Sequence, residues 1–136
     1  MNVRIKTIFW IASLLLFFQV SPLIGTIFSD ELKSSLITDA LGLDVSNDTI
    51  IMFDTFALVV SSTVVGIIFL ILGSLRIRNL SALRRLSFLL FVVMGFFALP
   101  DLIFWIIGKP TAPLPVILAN LLTMGILIYG AKRGNI

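Results

Sequence analysis

Long apolar stretches separated by short polar ones predict four membrane-crossing helices over 7–28, 50–73, 86–107 and 114–131. A helix rises about 1.5 Å per residue, so roughly 20 residues cross a hydrocarbon core ~30 Å thick. Between the first two stretches, residues 29–49 are polar, with Leu32, Leu36, Ala40 and Leu43 recurring every three to four positions. That spacing predicts a short amphipathic helix, opened by Ser29 with Asp30 and Glu31 in its first turn and stopped by Gly42. The pattern as a whole predicts an all-α polytopic membrane protein. Its single domain over 1–136 is a four-transmembrane-helix bundle with a short amphipathic helix in the first outer loop, on the membrane surface or capping the bundle.

Each span carries a feature that breaks its apolar run. The first is longer than the 7 to 15 residue core of a signal peptide, with no small-residue cleavage pattern after it, so it reads as a span. Gln19, Ser21 and Pro22 lie in its second half, and a bend is expected there. In the second span Thr55, Ser62, Gly66 and Gly73 fall within about 40° on a helical wheel, a small-residue face that a neighbouring backbone could approach. Asp54 lies on the flank of that face, pointing into the bundle or acting as an early-turn acid near head-group water. The third contains FFALPDLIFW, residues 96–105, where Pro100 predicts a kink and Asp101 carries a carboxylate into the apolar run. An aspartate at a helix centre costs about 2.5 to 3.5 kcal/mol, less near an interface, so Asp101 must be solvated by other helices, water or protonation. The fourth span contains Asn120 and Thr123.

Composition supports this class: 59% of residues are hydrophobic and 12% charged, with mean hydropathy +1.16, against about 25% charged in soluble domains. Charge placement then orients the spans. Of ten basic residues, Arg4, Lys6, Arg76, Arg78, Arg84, Arg85, Lys132 and Arg133 lie before the first span, in the inner loop 74–85, or after the last. Asp30, Glu31, Asp39, Asp44 and Asp48 all lie in 29–49. The positive-inside rule places both termini and the 74–85 loop in the cytoplasm. Topology accounts for the basic residues, so no nucleic-acid partner is implied. Histidine and cysteine are absent, which removes the usual metal, haem and thiol ligands; no cofactor, metal or catalytic group is expected. The run Asp44, Ser46, Asn47, Asp48 lacks the glycine and distal glutamate of a calcium loop.

Counted along the helix axis, Asp54, Asp101 and Asn120 lie about 6 to 9 Å, and Gln19 about 14 Å, below the outer ends of their spans. These four residues are the candidate ligand-binding site, a polar pocket in the outer half of the bundle. The competing expectation is that they form interhelical hydrogen bonds that fix packing.

Four spans, a longer first outer loop, Asp54 opening the second span, the arginine-rich inner turn and the passage FFALPDLIFWIIGKPTAPLPVILANLL together resemble the DoxX-like group of small bacterial membrane proteins. The resemblance implies a bacterial inner-membrane protein with an accessory role or a lipid-like or quinone-like ligand, beside quinone-linked or thiol-stress complexes. Without Cys or His, this chain would not itself pass electrons through a metal or dithiol. The expected partners are the lipid bilayer and a membrane protein complex, a partner subunit or further copies of the chain. The alternative is a proton-coupled small-molecule carrier using Asp101 and Asp54. An enzyme acting on lipid through the same carboxylates has no nucleophile motif or phosphate loop behind it.

Overall fold

Side chains that accept a backbone N–H set where several of these helices begin. The computed structural model describes residues 3–42, 45–108 and 112–136, the side chains of 40 and 41 excepted. It contains α1 (Ile5–Phe28), α2 (Asp30–Leu41), α3 (Asn47–Ser74), α4 (Leu80–Ile106) and α5 (Leu114–Arg133). Among the described residues there is no strand, only an isolated bridge between Arg4 and Asn135. The helices α1, α3, α4 and α5 are long and apolar enough to cross a membrane.

The amphipathic helix forms as read: Ser29 Oγ accepts from Leu32 N at 3.3 Å, and Gly42 ends the helix at φ 96°, where a side chain would be strained. The other starts come earlier than hydropathy predicts. Ser46 Oγ accepts from Thr49 N at 3.3 Å, so α3 opens at Asn47 instead of residue 50. Asn79 Oδ1 accepts from Ala82 N at 3.2 Å, so α4 opens at Leu80 instead of residue 86. The expected inner loop 74–85 therefore shrinks to the few residues before Leu80, and Arg84 and Arg85 are helical. Arginine is a good helix former, and its charge sets the limit of a hydropathy window without ending a helix. Pro22 and Pro100 both lie inside continuous helices. Leu43, Asp44, Lys109 and Pro110 lie outside the described residues.

The chain divides into two compact units, Met1–Gln19 with Ile68–Ile136 and Val20–Ile67. In the first, α4 presents a buried stripe of Leu83, Ser87, Leu90, Met94 and Ala98, and α5 presents Ile117, Thr123, Leu127 and Gly130. From α1, Ile5, Phe9 and Ala12 are wholly buried. Gly130 fits because it lacks a side chain: a Cβ there would lie 2.8 Å from Ser87 Oγ and 3.2 Å from Ile8 Cδ1. Ser87 in turn donates to the carbonyl of Leu127 at 2.7 Å, so the hydroxyl is satisfied across the α4–α5 contact.

The same unit ties the two ends of the chain together. Ile5 N donates to Asn135 O at 2.7 Å and Asn135 N to Val3 O at 3.3 Å, while Arg84 Nε donates to Gly134 O at 2.9 Å. A Cβ at Gly134 would approach Gly130 O to 2.6 Å, which reserves that position for glycine. The three basic segments read from the sequence as sharing one side thus meet at one end of this unit.

In the second unit the small-residue face expected on α3 is turned outward, while of the face expected on α2 only Leu32 and Leu36 have described side chains. On α2 the inward residue is Ile37, 7% exposed, whereas Leu32 is 37% exposed and leans on Gly25, where a Cβ would be 2.5 Å from Leu32 Cδ2. On α3 the buried positions are Ala57, Ser61 and Val64, while Thr55, Ser62 and Gly66 are exposed. Gly73, the last member of that small-residue face, falls in the first unit and is also exposed, and none of the described residues comes within 4 Å of a Cβ at Gly66 or Gly73. Among the described residues, therefore, nothing packs closely on the small-residue face at these two glycines. Lipid can cover either face of an apolar helix, so residue size alone does not select the packed one.

Candidate functional site

Polar groups on an apolar helix become useful when a neighbouring helix meets them at the same level. Gln19, half-buried near the middle of α1, donates from Nε2 to Thr123 Oγ1 at 3.1 Å. Thr123 is 1% exposed and donates its own proton to Ala119 O at 2.7 Å. The hydroxyl thus acts as acceptor and donor at once, and the glutamine links α1 to α5.

Asn120 lies three residues before Thr123 on α5, so the two are neighbours on one helix face. It is half-buried, as is Asp101 on α4. The α4–α5 register fixes their relative depth. Ser87 bonds to Leu127, and a Cβ at Gly95 would lie 3.4 Å from Met124 Cε. Carrying that antiparallel register onward sets Asp101 level with the first turns of α5, with Asn120 about 5 Å deeper by helical rise. Asp101 follows Ala98, the last buried residue of the α4 stripe, by three positions and is itself only half-buried. By helical register, then, the four residues are ordered along this unit as a polar track, in which the Gln19–Thr123 bond is the link seen between helices.

The remaining candidate belongs to the other unit. Asp54 is in the second turn of α3 and accepts from Lys33 Nζ of α2 at 2.5 Å, with side-chain exposures of 49% and 21% for Asp54 and Lys33. Exposed ion pairs of this kind contribute about 0.2 to 1 kcal/mol. The pair anchors the amphipathic helix to the start of α3.

Two participants were missed in the sequence-derived site. Thr123 had a usable signal, its position one turn from Asn120. Lys33 had another, as the lone base among the acids of 29–49. Buried Ser13 and Ser61 have hydroxyls with no hydrogen-bond partner, and nothing in the sequence separates Ser61, inside, from Ser62, outside. Among the described residues no group of three or more acidic, histidine or cysteine side chains is placed to hold a metal ion.

The described residues thus form an all-helical structure, with four helices of membrane-crossing length and a side-chain hydrogen bond, Gln19–Thr123, between helices of the first unit. Compared with protein-family models, curated proteins and solved structures, the chain matches none.

Proposed function

We propose that the chain is a small integral membrane protein of four spans, both termini cytoplasmic in a bacterial inner membrane. It works there as an accessory or binding subunit whose polar track takes a lipid-like or quinone-like ligand. The observation that carries this reading is the Gln19–Thr123 hydrogen bond between α1 and α5, with half-buried Asn120 one turn from Thr123 on α5. An amphiphile with a carbonyl or hydroxyl head would find donors and an acceptor there beside apolar helix surface. The joined chain ends support an even number of crossings, because they bring Arg4, Arg84 and Arg133 to one end. The Lys33–Asp54 pair weighs against the carrier reading, since Asp54 already has an ammonium partner. The role agrees with the one implied by the DoxX-like resemblance.

The test is purification in mild detergent followed by mass spectrometry of extracted lipids and quinones. Wild type is expected to retain one amphiphile in fixed proportion, and Asn120→Ala and Asp101→Asn to lose it several-fold at unchanged helix content. Identical extracts from all three proteins would overturn the reading.

A further inference from the structure

Two apolar grooves flank Ile128 on α5, at the end of the first unit where the chain termini meet. One, of about 730 Å³, has Ile8 and Ile11 of α1 on one wall and Ile126 and Ile128 of α5 on the other, with Lys132 and Arg133 at its rim. The second, of about 810 Å³, is walled by Phe88 and Leu89 of α4 and Ile128 of α5, with Arg85 and Lys132 at its rim. Ile128 and Lys132 border both grooves.

The cations are placed one helical turn from the apolar walls. Lys132 follows Ile128 by four residues, and Arg85 precedes Phe88 and Leu89 by three and four, so each charge shares a face with its groove. Arg85, Lys132 and Arg133 are exposed, and none has a carboxylate partner among the described residues. Arg84, by contrast, is engaged with Gly134 O. Apolar slots ending in unneutralised cations complement an anionic head group carried on acyl chains.

We propose that the paired grooves bind a diacyl anionic phospholipid, its chains on either side of Ile128 and its phosphate held by Lys132 with Arg133 and Arg85. This site lies at the opposite end of α5 from Asn120 and is independent of the polar track. It rests on the membrane reading alone.

The test uses the full chain in detergent, offered equal amounts of phosphatidylglycerol and phosphatidylcholine with the same acyl chains, with bound lipid counted by native mass spectrometry. Each cation is expected to contribute roughly a fivefold preference for the anionic lipid. Wild type should prefer phosphatidylglycerol, and K132Q/R133Q should lose roughly an order of magnitude or more of that preference. R76Q/R78Q removes the same charge from residues that line neither groove and should lower the preference much less. Ile128→Trp, which puts a bulkier ring at the wall the two grooves share, should lower retention of both lipids and reports on the site even if the charge variant misfolds. Equal effects of the two charge variants, or no preference in wild type, would overturn the site and leave the membrane reading standing. A wild type that retains no lipid of either kind would overturn both.

Discussion

Replacing Gly130 by leucine is expected to destabilise the protein more than any other glycine substitution inside its helices. A Cβ alone would lie 2.8 Å from Ser87 Oγ and 3.2 Å from Ile8 Cδ1. Ser87 is wholly buried and held by its bond to Leu127 O, so it can yield only by giving up that bond. Overpacking a close-packed contact costs about 1 to 3 kcal/mol, occasionally more, and a lost buried hydrogen bond adds about 1 kcal/mol. Alanine should show the smaller part of this effect. Gly125→Leu is the control, since nothing lies within 4 Å of a Cβ there. Thermal unfolding in detergent, followed by circular dichroism, should rank Gly130→Leu well below Gly130→Ala, with Gly125→Leu near wild type. Similar midpoints for Gly130→Leu and Gly125→Leu would show that α1, α4 and α5 do not meet at this position.

The second large effect is expected at Thr123. Valine has nearly the same shape but offers Gln19 Nε2 no acceptor, leaving a part-buried amide without the 3.1 Å bond it makes now. Interhelical hydrogen bonds inside membranes contribute about 0.6 to 2 kcal/mol, and an abandoned polar partner raises the cost toward about 3 kcal/mol. Thr123→Val should therefore lower the unfolding midpoint clearly, whereas Thr123→Ser, which keeps the hydroxyl, should change it little. Adding Gln19→Leu to Thr123→Val should recover much of the loss, because neither partner is then stranded. A double variant as unstable as the sum of the two single ones would mean that the two side chains do not interact.

The sequence made the helices legible and their faces much less so. Four long apolar helices follow from apolar length, and α2 follows from Ser29, its first-turn acids and Gly42, all local signals. The early starts of α3 and α4 were equally local, written in Ser46 and Asn79, but a hydropathy window stops at charge and overlooks caps. Facing is a tertiary matter. Ser61 and Ser62 are chemically the same and lie about 100° apart on the helix, and only the packed structure shows which is inside. For the candidate site, the polar positions were visible but their partners were not, since Gln19 meets Thr123 across 104 residues of sequence. The joining of Val3 and Ile5 to Asn135 runs through backbone groups, which leave no side-chain pattern to read.

The central expectation is that the chain crosses the bilayer four times with its basic end inside. Its freedom from cysteine allows single cysteines to be placed at Arg78, Asp39 and Ile136 and probed in intact cells with a membrane-impermeant maleimide. The predicted result is labelling at position 39 alone, with 78 and 136 reacting only after permeabilisation. Labelling of 78 and 39 from the same side would contradict it.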